Sequence, residues 1–294
     1  MRVKVCLATV LVVAVTIPAA AQLVNETQFF PVVAHTAGAG DPPTSWRTDL
    51  TVHNVMDAEL TVGVHFFESG NIVEWDGTYD VTLDLQSRET RTVEDVVATL
   101  FGITQDTKGS LFLECDNSVF PSNPEDSKML AHTRTYNVGS EVGTFGTSVA
   151  TAQFSDVFLN VGQSISVITG VRNDSNYRSN LGIVNFSFAG VPITVHYRVL
   201  GQNGEIVATG SKDLDPFDMN QWSFRNLGVP RVYAGPLTVE LWLDPEDIPG
   251  DPCQLEEDDL VMFIAYATKA DGNPTGSGDG EFIYATPLLG LECE

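Results

Sequence analysis

Apolar and polar residues alternate with a period of two through most of this chain. In Leu50-Thr51-Val52-His53, Leu50 and Val52 point one way and Thr51 and His53 the other, as in a half-buried antiparallel strand. Val62, Val64 and Phe66 alternate with Thr61, Gly63 and His65, and Ile193, Val195 and Tyr197 alternate with Thr194, His196 and Arg198. Val81-Thr82-Leu83-Asp84-Leu85 continues the pattern. Gly70-Asn71 and Gly201-Gln202-Asn203-Gly204 mark turns, followed by the short apolar pairs Ile72-Val73 and Ile206-Val207. Further strands are expected after Gly109 and Gly235 and over residues 129–136 and 260–267. One segment departs from this period: from Val93, the apolar Val96, Val97, Leu100 and Phe101 recur at helical spacing before Gly102. Thr92 with Asp95 three positions on reads as a capping box, so a helix of about two to three turns is expected there. Residues 222–227 hold its shorter counterpart.

The pattern also repeats at long range. Trp46-Arg47-Thr48-Asp49-Leu50-Thr51-Val52-His53-Asn54 returns 131 positions later as Tyr177-Arg178-Ser179-Asn180-Leu181-Gly182-Ile183-Val184-Asn185. The aromatic, the Arg, the Leu and the closing Asn recur in step, an inner aliphatic (Val52, Val184) recurs one position out of it, and Val64-His65-Phe66 returns as Val195-His196-Tyr197. Shared spacing across separated segments indicates an internal duplication. Short strands, close turns and almost no helix then give an all-β chain of two tandem immunoglobulin-like antiparallel β-sandwich domains, with one short helix in the first. The expected division is a signal peptide over residues 1–21, repeat 1 over 22–155 and repeat 2 over 156–294.

The expected leader consists of Arg2 and Lys4, an apolar run from Val5 to Ile17, Pro18, and Ala19-Ala20-Ala21 as the cleavage site. Its apolar run is too short to span a bilayer comfortably, and no later stretch suits a membrane anchor. Export followed by cleavage would carry the chain outside the cell, to the periplasm or the cell surface. Losing Arg2 and Lys4 takes the formal charge from −24 to −26. That surface repels phosphate backbones and anionic headgroups, which argues against nucleic acid and membrane surfaces as partners. Solubility is the plainer reading of the charge, and cation binding the sharper one.

Three cysteines follow the leader: Cys115, Cys253 and Cys293. An oxidising compartment permits a bridge between Cys253 and Cys293, with one thiol left over. Cys115 shares a strand side with Leu111 and Leu113 and reads as a small buried hydrophobe.

Val33-Ala34-His35-Thr36-Ala37-Gly38-Ala39-Gly40, Trp46-Arg47-Thr48-Asp49-Leu50 and Arg134-Thr135-Tyr136-Asn137, with Gly143-Thr144-Phe145-Gly146, resemble tandem secreted β-sandwich proteins of environmental bacteria. The similarity runs over nearly all of the chain after the leader and is clearest in the first repeat. The second repeat has Tyr266-Ala267-Thr268-Lys269 in place of the Arg-Thr-Tyr-Asn run. That group has no established activity, so the resemblance implies fold and localisation only.

Candidate chemistry is sparse. The chain has no Gly-x-Ser-x-Gly elbow, His-Glu-x-x-His, Cys-x-x-Cys or phosphate-binding Gly-rich loop. Of the five histidines, His53 and His65 are expected on outward faces of neighbouring strands, within diagonal reach, which is too few ligands for a metal. Asp271, Asn273, Asp279 and Glu281 offer oxygen ligands on a yielding backbone, as calcium requires. Their spacing is not that of an EF-hand, and turn chemistry explains the same residues. Trp46-Arg47 and Tyr177-Arg178 either expose aromatics to sugars or cap each core while the Arg pairs with a carboxylate.

The sequence thus points to a secreted, non-enzymatic structural or adhesion/binding protein whose partner is an extracellular protein or polysaccharide. A carbohydrate-binding module, with or without calcium, and an extracellular hydrolase are the alternatives. No other cofactor is expected.

Overall fold

The computed structural model describes residues 24–38, 44–71, 77–115, 127–138, 145–152, 157–159, 165–187, 190–244, 261–271 and 280–288. The expected leader, the Ile72-Val73 strand, Cys253 and Cys293 lie outside them. The first half contains β1 (Val24–Asn25), β2 (Thr27–Gly38), β3 (Thr44–Asn54), β4 (Leu60–Glu68), β5 (Val81–Leu85) and β6 (Thr90–Val93). Helix α1 (Val96–Phe101), β7 (Thr107–Glu114), β8 (Met129–Asn137) and β9 (Phe145–Ala150) complete it. The second half runs through β10 (Val157–Leu159), β11 (Ile165–Val171), β12 (Tyr177–Asn185), β13 (Ile193–Leu200) and β14 (Ile206–Leu214). After β15 (Met219–Ser223) come a 3-10 turn (Phe224–Leu227), β16 (Leu237–Leu243), β17 (Met262–Asp271), β18 (Gly280–Tyr284) and β19 (Thr286–Leu288).

Both halves are antiparallel sandwiches. In the first, β9, β8, β3 and β6 with β1 form sheet I, and β2, β7, β4 and β5 form sheet II. Strand β2 belongs to both layers: residues 27–35 pair with β7, and residues 36–38 turn onto β3. In the second half, β10, β17, β12, β15 and β18 form sheet III, and β14, β13, β16, β11 and β19 form sheet IV. The pairings correspond one for one: β3·β8 with β12·β17, β4·β7 with β13·β16, β2·β7 with β11·β16, and β3·β6 with β12·β15. The central strands keep the immunoglobulin order, with a partner of the second strand in one sheet and the sixth strand between its neighbours in the other. The outer strands are exchanged: the first long strand lies beside β7, where the last immunoglobulin strand would be, and β8 lies beside β3.

Inward residues fill one core per sandwich. Leu50, Val52, Met129 and Ala131 of sheet I meet Phe30, Leu111, Leu113, Val62 and Val64 of sheet II. Leu181, Ile183, Phe263 and Ala265 of sheet III meet Val195, Tyr197, Val239 and Leu241 of sheet IV. Ile183, not Val184, is therefore the inner counterpart of Val52, and Val184 faces the other way.

Val184 belongs to a third core, between the halves. The outer face of sheet II presents Phe29, Phe67 and Phe112, and that of sheet III presents Val184, Met219, Ile264 and Tyr266. Phe67 stacks on Phe217 with centroids 4.8 Å apart, and Phe29 lies 4.2 Å from Phe186. The Gly70 N–H donates to Asp218 Oδ1 at 2.9 Å, and Tyr284 donates to the Ala150 carbonyl at 2.8 Å. Sheets II and III thus lie between two layers each, which explains the apolar runs Phe29-Phe30-Pro31-Val32-Val33 and Val261-Met262-Phe263-Ile264-Ala265. Gly182 is required here, because a Cβ on it would lie 2.0 Å from the ring of its cross-strand partner Tyr266.

Helix α1 is shorter than its sequence pattern suggests, beginning at Val96 and ending at the left-handed Gly102. The capping box does not form: the Thr92 hydroxyl bonds Thr51 Oγ1, and Asp95 makes no side-chain cap. Asp95 takes positive φ (45°) and turns its carboxylate away from the helix.

Candidate functional site

That carboxylate organises a polar cluster where β2, β3 and α1 meet. His35 stands on β2 where the strand passes between layers, and its Nδ1 lies 2.9 and 2.8 Å from the two oxygens of Asp95. Arg47 Nε is 3.2 Å from Asp95 Oδ2, while Arg47 Nη1 donates to the Trp46 carbonyl at 2.7 Å. One step along β3, Asp49 Oδ1 accepts from the Asp95 backbone N–H and from the Tyr136 hydroxyl, each at 2.9 Å. Burial first, then the hydrogen bond to Asp49, pushes the Tyr136 phenol up to about 12, so it remains a donor at neutral pH. The Arg134 guanidinium lies over the Tyr136 ring, 4.9 Å from its centre.

A histidine held at Nδ1 by a carboxylate can act as a base through Nε2 when a hydroxyl or thiol meets that nitrogen. Among the described residues His35 makes hydrogen bonds only through Nδ1, and the group ties β2, β3 and the start of α1 together. Left-handed backbone at a non-glycine residue is costly unless its surroundings hold it, and Asp and Asn tolerate it best. Asp95→Asn should keep the backbone but remove the carboxylate that His35 and Arg47 face, lowering stability by about 1–2 kcal/mol. Urea unfolding measures this, and an unchanged midpoint would show that the cluster does not hold the helix start.

The second half does not rebuild the cluster. Arg178 is exposed, Asn180 replaces Asp49 and bonds Thr268 Oγ1, and Ser223 caps the 3-10 turn by accepting from Asn226 N–H. Trp46 and Tyr177 belong to neither sandwich core; Trp46 Nε1 donates to Thr44, and Arg172 stacks over Tyr177. The core-capping reading therefore fails for both aromatics. The paired carboxylate is present for Arg47, and its position could not be read from the repeat.

The other candidate residues are dispersed. His53 and His65 are not neighbours, because β3 and β4 belong to different layers: His53 bonds Thr90 Oγ1, while His65 Nδ1 lies 3.2 Å from Asp80 Oδ2. His65 and Asp80 border an open cavity of about 420 Å³ with Glu68, Phe66 and Phe101. Glu68 is occupied there, accepting from Thr107 and Asn71. Of the calcium candidates, Glu281 pairs with Lys269 at 2.7 Å. Asp271 ends β17, but its side chain, Asn273 and Asp279 lie outside the described residues. No group of three metal-ligating side chains occurs among the described residues. Cys115 is a free thiol, fully buried in the first core, and burial pushes its pKa up to about 12, which makes it unreactive at neutral pH. No helix among the described residues is long and apolar enough to cross a membrane.

No protein-family model matches the chain. No curated protein matches it. Among solved structures, that of infectious bursal disease virus, Gx strain, is 12% identical with a TM-score of 0.22, covering 90% of this chain and 72% of that one. A glycosyl hydrolase family 2 member from Bacteroides cellulosilyticus is 7% identical with a TM-score of 0.15, covering 82% of this chain and 28% of its own. A putative beta-galactosidase from Bacteroides fragilis is 10% identical with a TM-score of 0.15, over 85% of this chain and 32% of its own. Scores this low establish neither a shared fold nor a shared function.

Proposed function

We propose that this chain is a secreted, non-enzymatic structural or adhesion protein of the cell exterior, with an extracellular protein or polysaccharide as its partner. The observation that supports this reading best is the aromatic core between the halves. It joins two sandwiches into one four-layer block, and among the described residues no further sheet covers sheets I and IV. A block held by a largely apolar interface presents its outer sheets at a fixed separation, which suits attachment better than a hinged pair of domains would. The leader-like residues 2–21 and the formal charge of −24 support export and solubility outside the cell.

Fractionation of the producing cell tests the reading. The expected result is a chain beginning at Gln22 in the surface or extracellular fraction, with weaker cell attachment when the gene is removed. Recovery from the cytoplasm with residues 1–21 intact, or hydrolysis of a polymer by the purified chain, would refute it.

A further inference from the structure

The duplication supplies a comparison within one molecule. Phe112 is the cross-strand partner of His65, and Trp242 is the cross-strand partner of His196, so the two aromatics hold the same place in their sheets. Phe112 is buried against the second half, and Trp242 lies on the outer face of sheet IV. Along β16, Val239, Leu241 and Leu243 are buried and Glu240 and Trp242 are half-buried, the alternation of a sheet covered on one side only.

The residues beside Trp242 differ from those beside Phe112 in kind. Where sheet II has Phe67 after His65-Phe66, sheet IV has Arg198 after His196-Tyr197. Arg198 Nε and Nη2 donate to Glu240 Oε2 at 2.8 and 2.5 Å, and the guanidinium lies 5.8 Å from the Trp242 ring centre. The His196 ring runs nearly parallel to the indole at 5.8 Å. Asp244 completes the group, accepting from Trp242 Nε1 at 3.0 Å on one oxygen and lying 3.1 Å from His196 Nε2 on the other. Both carboxylates are thereby tied to neighbours, and the indole is held by its own N–H.

We propose that the outer face of sheet IV binds an uncharged polysaccharide, with Trp242 stacking one sugar ring and His196, Arg198, Glu240 and Asp244 meeting its hydroxyls. This rests on the proposed role in attachment outside the cell and names the partner class. A sugar ring has an apolar face for an indole and a rim of groups that both donate and accept hydrogen bonds, which the paired charges here can supply. Charge selects within that class. The guanidinium is already matched by Glu240, and the whole chain carries −24, so an anionic polymer is repelled and a neutral one is not. A protein face is a poorer fit: sheet II, which does hold one, presents Phe29, Phe67 and Phe112 where this face keeps one aromatic among ions.

Affinity electrophoresis of residues 22–294 tests this, in gels containing dextran, galactomannan, xyloglucan or hydroxyethyl cellulose. The wild type should be retarded by at least one of them. Trp242→Ala should weaken that retardation at least about tenfold in affinity with an unchanged melting temperature. Arg198→Ala should weaken it less, and Trp46→Ala, in the first sandwich, should behave as wild type. Passage of the wild type through every gel unretarded, or equal retardation of Trp242→Ala, overturns the proposal. Shortening of the polymer with retardation still lost in Trp242→Ala supports the site and refutes only the non-enzymatic reading.

Discussion

Phe67→Ala should lower stability by about 3–5 kcal/mol and split a single unfolding transition into two. The ring is 1% exposed and packs on Phe217 of the other half at 4.8 Å with an interplanar angle of 11°. It also meets His65 edge-on at 4.3 Å within its own sheet. Truncation leaves a void between two sheets whose positions are set by their own cores, so neither can collapse to fill it. Each sandwich keeps its inward residues, so the loss falls on the coupling between halves rather than on either core. Calorimetry should show one peak for the wild type and two for the variant, the halves having lost the contact that makes them melt together. A single peak within about 1 kcal/mol of wild type would mean that the shared core contributes little, and the four-layer block would lose its energetic basis.

Asn185→Ala should cost about 2–4 kcal/mol, because one side chain satisfies four backbone groups at a corner of the second sandwich. Asn185 is fully buried at the end of β12. Its amide donates to the carbonyls of Val191, Leu214 and Asp215, and its oxygen accepts from Ser187 N–H. Asn54 plays the same part at the end of β3, donating to the carbonyls of Ala58 and Gln86 and accepting from Met56 N–H. In both places the chain is leaving one sheet for the other, where the ladder ends and backbone groups lose their strand partners. Asn185→Asp is expected to be no milder than alanine, since a carboxylate would face three carbonyl oxygens without a donor to offer them. Equilibrium urea unfolding of both variants measures this. A change below about 0.5 kcal/mol for alanine would show that water reaches the corner and replaces the amide.

Much of this architecture was legible in the residues. The strands around Leu50, Val62, Val81, Ile193 and Leu237 follow from alternation, since a period of two places every second side chain on one face whatever the neighbours are. The repeated Asn marks a corner that both sandwiches need. The burial of Cys115 followed from its place beside Leu111 and Leu113. The candidate site was not legible. Asp95 looked like a helix cap because local spacing is the only thing a sequence offers, and its partners His35 and Arg47 lie 60 and 48 positions away. The expected contact between His53 and His65 failed because adjacency in sequence says nothing about which layer receives the next strand.

What the sequence by itself determined is therefore the strand content, the sandwich class and the recurrence of one pattern 131 residues on. Those properties are local or periodic, and each depends on side chains a few positions apart. The tertiary structure alone decided which sheet faces are covered. Phe112 and Trp242 occupy equivalent positions in equivalent strands, and only the docking of sheet III on sheet II makes the first a core residue and leaves the second at the surface. That docking depends on the summed shape and polarity of two whole faces, drawn from strands far apart in the chain.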